Sequence, residues 1–176
     1  EKDILFIVDE VQTGVGRTGT FYSYQQFGIQ PDLVSSAKGL GGGLPIGAVL
    51  FGEKTQDTLI PGDHGSTFGG NPVVCAGAVE VLNRMDDTFL QNVTAKGRHM
   101  REEIEKMPHV TSVAGMGMML GIELDIDVKP VVTALMENGL LVLTAKHKMR
   151  LLPPLNIAQT ELEKGLSILK NTLAAL

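Results

Sequence analysis

The stretch Leu33–Gly47, LVSSAKGLGGGLPIG, decides how the surrounding chain folds. Its apolar start with β-branched Val34 predicts a strand, and Lys38 stands directly before a loop with four glycines in five positions. Glycine allows the backbone to approach a neighbouring group closely. The stretch therefore predicts an amine at the end of a strand. That amine is either a nucleophile able to form a Schiff base or a surface lysine beside a turn.

A second predicted strand lies upstream, where the uninterrupted apolar run Ile4–Val8 ends in Asp9 and Glu10. Such a run is typical of a strand that is buried on both faces. In open α/β sheets, ligands bind at the carboxyl ends of the strands. We therefore expect Asp9 and Lys38 to converge at the C-terminal edge of one parallel sheet. The alternative is that the two acids are merely solvated.

A crossover connects these strands through a short predicted helix, Phe21–Phe27, which Gly28 closes. The tract Gly14–Gly19 in the same segment matches the G-x-G-x-x-G pattern of dinucleotide-binding proteins. It begins five residues after Asp9 instead of directly after the strand, and the next acid, Asp32, comes too early. A nicotinamide-binding module is therefore an alternative that the spacing disfavours.

The loop His64–Pro72, HGSTFGGNP, precedes a predicted helix with Asn71 as its N-cap and an end near Arg84. Ser66 and Thr67 lie in the glycine-rich approach to this helix. Hydroxyl groups and free backbone N–H groups at such a place suit an anion. The alternative is that both residues only cap the loop.

From Asp87 onward the pattern changes to a long amphipathic helix that ends before Pro108, followed by an α+β unit. The further predicted elements are strands Val110–Ala114 and Met118–Leu124, a helix from Pro130 to Gly139, strands Leu140–Leu143 and Met149–Leu152, and a last helix with a capping box at Thr160 and Glu163. The chain is thus predicted to be α/β in class and to form two domains, residues 1–86 and residues 87–176.

Arg150 is a candidate ligand-binding residue in the second domain. Its neighbours, Met149 on one side and the run LLPP at 151–154 on the other, are apolar or rigid. A guanidinium held in place by such neighbours can bind a carboxylate through two parallel hydrogen bonds. The alternative is an arginine on an edge strand whose charged end reaches the solvent.

Composition excludes several classes of protein. The 176 residues are 43% hydrophobic and 20% charged, and the formal net charge is -5, which argues against nucleic-acid binding. The apolar runs are too short to cross a membrane, and the acidic first residues argue against a signal peptide. The single cysteine, Cys75, fits a reducing, cytoplasmic compartment. The four histidines lack the spacing of metal ligands, and the start without Met suggests a piece of a longer chain.

Five motifs occur in an order that resembles the class III, fold type I, pyridoxal-phosphate-dependent aminotransferases. They are DEVQ at 9–12, the tract Gly14–Gly19, AKGLGGGLPIGA at 37–48, HGSTFGGNP at 64–72 and RLLPPLNI at 150–157. The resemblance covers the whole chain but corresponds only to the C-terminal part of the family. It implies that residues 1–86 belong to the cofactor-binding large domain, a mostly parallel sheet with helices, and that residues 87–176 form the small C-terminal α+β domain.

The resemblance also implies roles for residues of the first domain. Asp9 would pair with the ring nitrogen of pyridoxal 5'-phosphate, Val11 would pack on the ring, and Gln12 would bond the ring hydroxyl. Lys38 would bind the cofactor as a Schiff base and act as the catalytic residue. A noncatalytic scaffold is the alternative if Lys38 lies far from Asp9.

Two further implications concern the cofactor phosphate and the substrates. Thr67, with Ser66 beside it, would reach the phosphate in the neighbouring subunit of a homodimer, and Arg150 would bind the α-carboxylate of amino-acid and 2-oxo-acid substrates. Family members carry further parts of the site upstream of the strand at Ile4–Val8. We therefore expect about half of a catalytic site in this chain.

Overall fold

The computed structural model describes residues 2–176, which divide into two compact units, the first ending at Leu90 and the second spanning Gln91–Leu176. Each unit has its own sheet. Within the described residues, none of the helices is both long and apolar enough to span a lipid bilayer.

The first unit contains a three-stranded sheet of order β1-β2-β3, formed by β1 (Ile7–Asp9), β2 (Leu33–Ser36) and β3 (Ala48–Phe51). β1 and β2 are parallel, as the crossover predicts, whereas β2 and β3 are antiparallel. The expectation of a mostly parallel sheet is therefore met by only one of the two strand pairs. The loop at 37–47 is too short for a parallel crossover, which needs a dozen or more residues.

The predicted burial of Ile4–Val8 on both faces is wrong for this structure. β1 begins only at Ile7, and the side chains of Ile4 and Ile7 are 68% and 61% exposed. Within residues 2–176, no strand pairs with the outer edge of β1. An apolar run favours burial, but burial also requires other elements that cover the run. The sequence of the run itself does not show which elements these are.

Helices of the first unit agree with their local signals. The short predicted helix of the crossover is a 3₁₀ helix, Ser23–Phe27, that ends at Gly28. Helix α1 spans Pro72–Asn83, and Oδ1 of Asn71 accepts hydrogen bonds from the N–H groups of the second and third helical residues at 3.0 and 3.3 Å. The predicted N-cap is confirmed. A small core joins these parts and comprises Val15, Leu40 and Ala78, with Ile46, Val81 and Met85 packed against it.

The second unit contains a four-stranded antiparallel sheet of order β4-β5-β7-β6. Its elements, with helix α2 that leads into it, are α2 (Asp87–Ile104), β4 (Val110–Met116), β5 (Met119–Leu124), α3 (Val128–Glu137), β6 (Leu143–Ala145), β7 (Lys148–Leu151) and α4 (Gln159–Ala174). Alternate residues of β5 and β7 are buried, as expected for a sheet with one covered face. The core side chains include Met100, Leu120, Ile122, Leu135, Met149 and Leu169.

The start of α3 differs from its prediction. The helix begins at Val128, two residues before Pro130, and the side chain of Asp127 accepts a hydrogen bond from the N–H of Lys129 at 3.2 Å. Proline is tolerated at the third helical position because the first N–H groups of a helix have no partner within it. The aspartate cap therefore sets the start, and the proline only lies within the first turn.

The predicted capping box of α4 is absent. The helix begins at Gln159 with Ala158 as its N-cap, so Thr160 is already helical and caps nothing. The Glu163 carboxylate instead accepts a hydrogen bond from the Gln159 side chain at 2.6 Å and contacts Nε2 of His99 at 2.7 Å. Competition from these partners replaces the reciprocal bonds of a capping box.

The last two strands lie closer together than predicted. The structure has them at Leu143–Ala145 and Lys148–Leu151, joined by a two-residue turn that contains Lys146 at φ 58°. Such turns usually carry glycine or asparagine, because they need positive φ. The sequence of this turn, Lys146-His147, therefore contains no residue that predicts it.

Candidate active site

Asp9 is held at the C-terminal edge of the parallel strand pair. It is the last residue of β1 and lies opposite Ser35 of β2. Oδ1 of Asp9 accepts a hydrogen bond from the Ser35 hydroxyl at 2.8 Å and another from the Val11 N–H at 2.9 Å. The carboxylate therefore has a fixed place although its side chain is exposed.

The same contacts stabilise the negative form of Asp9. The Val11 N–H and the Ser35 hydroxyl lower the pKa of the Asp9 carboxyl below its usual value, and the charge of Lys38 adds a smaller effect in the same direction. Hydrogen bonds to a carboxylate favour its ionised state. Asp9 is thus a fixed anion at neutral pH, which suits it to pair with a cationic group.

Lys38 follows the end of β2 by two residues and begins a second 3₁₀ helix, Lys38–Gly41. It lies at the same edge of the sheet as Asp9, as predicted, and its side chain is exposed. Its backbone has φ 47°, a left-handed conformation that costs a residue other than glycine about 1–2 kcal/mol. Strain of this kind occurs at functional sites when the surroundings enforce it.

The residues that follow Lys38 are held in place by packing. Leu40, in the same 3₁₀ helix, is buried in the small core with Val15. Gly42 ends the helix at φ 59°, and a methyl group added there would lie 2.9 Å from Cγ2 of Val81 in α1. The glycines predict that the backbone comes close to a neighbouring group, and at Gly42 that group is helix α1.

Glu10 is a residue whose importance the sequence analysis missed. It is 1% exposed, and its carboxylate accepts hydrogen bonds from the Thr13 hydroxyl at 2.5 Å and the Tyr24 N–H at 2.8 Å. Successive residues of a strand point to opposite faces. An acid directly after Asp9 therefore points away from it, and this alternation is the signal that could have distinguished the two acids.

Val11 and Gln12 lie in the turn directly after Asp9 and Glu10, Val11 partly buried and Gln12 exposed. The tract Gly14–Gly19 continues these turns, and the next helix is the five-residue 3₁₀ helix at Ser23–Phe27. A dinucleotide-binding tract instead opens an α-helix whose N-terminus holds the pyrophosphate. The structural context of the nicotinamide alternative is therefore missing.

Ser66 and Thr67 lie in an exposed loop before α1. Oγ of Ser66 accepts a hydrogen bond from the Gly69 N–H at 3.1 Å, and Asn71 already occupies two N–H groups at the helix start. The loop-capping alternative thus describes Ser66 within this chain. The role expected of Thr67 concerns a neighbouring subunit and stays a prediction.

Arg150 belongs to the second unit, where it lies on β7 between Gly121 of β5 and Leu143 of β6. The strand is internal, so the alternative of an arginine on an edge strand is wrong. The partly buried side chain lines an apolar cavity of about 420 Å³, whose wall includes the exposed Leu141. Its expected role in carboxylate binding stays a prediction.

Among residues 2–176, no three or more His, Cys, Asp or Glu side chains are grouped so that they could hold a metal ion.

Comparison with known proteins identifies close relatives. The chain is 53% identical over 175 residues to an acetylornithine aminotransferase of Haemophilus ducreyi and 44% identical over 174 residues to one of Aquifex aeolicus. Each alignment covers 98% of this chain but only 44% and 46% of the respective relative. The chain therefore spans about half the length of the curated relatives it matches.

Solved structures agree with the sequence relatives. An ornithine aminotransferase from Toxoplasma gondii has 35% identity and a TM-score of 0.90, covering 98% of this chain and 44% of that one. An N-acetylornithine aminotransferase from Stenotrophomonas maltophilia has 35% identity and a TM-score of 0.86, covering 98% and 48%. The predicted α/β class is thereby confirmed. Since the family model described as aminotransferase class-III matches residues 1–173, the chain belongs to the class-III aminotransferase family.

Proposed function

We propose that this protein is a pyridoxal-phosphate-dependent aminotransferase of arginine biosynthesis. It transfers the terminal amine of N-acetylornithine to 2-oxoglutarate, giving the semialdehyde and glutamate. The main support for the proposal is that an ionised Asp9 and Lys38 lie at the same edge of the sheet. The names of the sequence relatives support this donor. Ornithine is an alternative donor, because an ornithine aminotransferase is also similar in structure. Succinylornithine and 4-aminobutyrate are the further alternatives.

The residues present fit the cofactor. The fixed Asp9 anion suits a protonated ring nitrogen, and the amine of Lys38 suits covalent attachment. Val11 and Gln12 lie in the turn directly after Asp9 and Glu10 and would contact the ring and its hydroxyl. When bound, the cofactor supplies an electron-withdrawing ring that stabilises negative charge on the carbon bearing the amine.

Ser66 and Thr67 would hold the cofactor phosphate, Thr67 that of a neighbouring subunit. Both hydroxyl-bearing residues lie in an exposed loop, so they are accessible to a second chain. The exposed apolar side chains near them, Phe68 at 84% and Val73 at 71%, support a homodimer that covers this region.

The chain's own residues would divide the chemistry between them. Lys38, once its amine is free, would take the proton from the amine-bearing carbon at Nζ and would then donate it to the carbon of the cofactor that receives the amine, acting as general base and acid. Asp9 keeps its negative charge and so holds the ring nitrogen protonated. Arg150 binds the substrate's α-carboxylate through two hydrogen bonds and orients it, which lowers the entropic part of the barrier.

The proposal extends to domain organisation and location. Residues 1–86 are the C-terminal portion of the cofactor-binding large domain, and residues 87–176 form the small C-terminal domain. The single cysteine supports a cytoplasmic location.

The test uses the longest polypeptide encoded in frame with these 176 residues, called the full-length form below. Incubation with pyridoxal phosphate, reduction with borohydride and peptide mapping should identify Lys38 as the modified lysine. Assays with the four candidate donors and 2-oxoglutarate should show the highest kcat/KM with N-acetylornithine. Modification of another lysine would overturn the assignment of Lys38. Preference for another donor would overturn only the proposed amino donor.

A further inference from the structure

Glu10 is a buried carboxylate that the proposed chemistry does not use. It is 1% exposed, and within residues 2–176 it is the only acidic residue that is buried. A buried acid is costly unless its oxygens receive hydrogen bonds. Its burial directly beside Asp9 therefore calls for a reason in the geometry of the site.

The hydrogen bonds of Glu10 extend to three segments of the first unit. Its N–H donates to the Ser35 carbonyl at 2.9 Å, and its own carbonyl accepts from the Gly14 N–H at 2.9 Å. Each oxygen of the carboxylate accepts a hydrogen bond, Oε2 from the Thr13 hydroxyl and Oε1 from the Tyr24 N–H. Glu10 thus ties strand β2, the turns after β1 and the 3₁₀ helix Ser23–Phe27 to one point.

We infer that Glu10 is a positioning residue for Asp9. By holding both ends of the segment 13–24, its carboxylate keeps the preceding Val11 N–H on Oδ1 of Asp9. Thr13 lies two residues after Val11, so the Thr13 contact fixes the turn in which the Val11 N–H must point back toward β1. Asp9 itself has no contact with the Glu10 carboxylate among those described, so the effect passes through the backbone.

Side-chain chemistry explains why a glutamate serves here. Alanine would leave the Tyr24 N–H and the Thr13 hydroxyl without their acceptor and would open a cavity. Glutamine keeps one oxygen for the Tyr24 N–H, and its amide can donate to the Thr13 hydroxyl oxygen. The expected order of disturbance at Val11 is therefore Glu10→Ala first, then Thr13→Val, and Glu10→Gln last.

The functional consequence of this inference rests on the proposed role of Asp9, but its geometric content does not. The experiment is accordingly made on the full-length form without cofactor. Amide hydrogen exchange of Val11 and Tyr24 and the carboxyl ¹³C titration of Asp9 are measured by NMR. Glu53→Gln, which changes an exposed acid of the same unit, is the matched control.

In Glu10→Ala we expect Val11 and Tyr24 to exchange at least tenfold faster, relative to Val34 and Leu50 in the β2–β3 ladder. The pKa of Asp9 should rise toward its ordinary value, because it loses the Val11 N–H. Thr13→Val should show a smaller change of the same sign, and Glu10→Gln and Glu53→Gln should resemble the parent.

Unchanged Val11 exchange and Asp9 titration in Glu10→Ala would overturn the inference. If that variant unfolds, Thr13→Val decides: faster Val11 exchange with an unchanged β2–β3 ladder supports the inference, and parental exchange overturns it. Failure of the proposed function would appear separately, as absence of cofactor on Lys38 in the full-length form.

Discussion

Ser35 and Asp9 form a cross-strand pair in which the serine hydroxyl donates to Oδ1 of the carboxylate at 2.8 Å. Because β1 and β2 are parallel and in this register, the Ser35 side chain of β2 holds the Asp9 carboxylate at the end of β1 in place and stabilises its negative charge. Because the Lys38 segment continues β2, the same register brings the lysine to that edge. The two proposed functional groups therefore depend on one strand pairing.

Replacing Ser35 by Ala should raise the pKa of Asp9, since one of the hydrogen bonds that lowers it is lost. A lowered carboxyl pKa stabilises the fold above the pKa of the unfolded chain, about 3.9, and this contribution disappears as the pH falls through the folded pKa. The variant should therefore lose stability at neutral pH and less in acid. Carboxyl ¹³C titration of Asp9 measures the shift, with Ser66→Ala as the control. A parental titration curve would contradict the expectation.

Gly97 in α2 should not tolerate a side chain. A methyl group there would lie 2.2 Å from the carbonyl oxygen of Gly117, which is backbone and cannot move aside. We expect Gly97→Ala to lower the free energy of unfolding by about 3 kcal/mol. Gly165→Ala in α4 is the control, because its methyl would meet Leu140 at 3.5 Å and alanine favours helix by about 1 kcal/mol. Urea denaturation compares both variants, and equal midpoints would refute the close contact.

Lys38 and Asp9 should give different defects in the full-length form. Lys38→Ala should abolish covalent attachment of the cofactor and nearly all turnover, because the proposed mechanism uses the Lys38 amine both as nucleophile and as base. Asp9→Asn should leave the cofactor bound but slow proton abstraction in single-turnover kinetics. The exposed Lys54→Ala is the control. An ordinary rate of transamination in Lys38→Ala would exclude the proposed mechanism.

Arg150→Lys should raise the KM of every amino-acid substrate by about tenfold, because a point charge replaces a planar group with paired donors. Cofactor binding should stay at the parental level. Steady-state kinetics of the full-length form test this, with the exposed Arg98→Lys as the control. Parental kinetics would leave Arg150 with a purely structural role on β7.

Local signals predicted much of this fold. Asn71 before Pro72 specified the start of α1 through contacts within four residues, and the segment Leu33–Ser36 was recognised as a strand from its own residues. Features that depend on distant partners were missed or wrong. The burial of Glu10 depends on Tyr24, fourteen residues away, and the internal position of Arg150 depends on the strand order of the second sheet. The pattern of one segment cannot contain such pairings.

The placement of the candidate residues was predictable to the same extent. Asp9 ends one of two parallel strands and Lys38 follows the other, and the crossover rule alone brings such residues to one edge. The tight packing of Gly42 against α1 was not predictable, because a glycine-rich loop next to a lysine is compatible with a ligand or with a helix. Only the tertiary contact distinguishes the two.

The polypeptide of residues 1–176 by itself should associate and bind pyridoxal phosphate weakly. The apolar side chains of Ile7, in the edge strand β1, and of Ile4, three residues before it, are exposed, and exposed apolar edge strands favour contact with other chains. Sedimentation velocity should show oligomers at micromolar concentration, and Ile4→Lys with Ile7→Lys should reduce them, whereas Val79→Lys on α1 should do so less. Cofactor titration followed by an assay with acetylornithine and 2-oxoglutarate should give no turnover. Tight stoichiometric binding with full activity would show that these residues form a complete site.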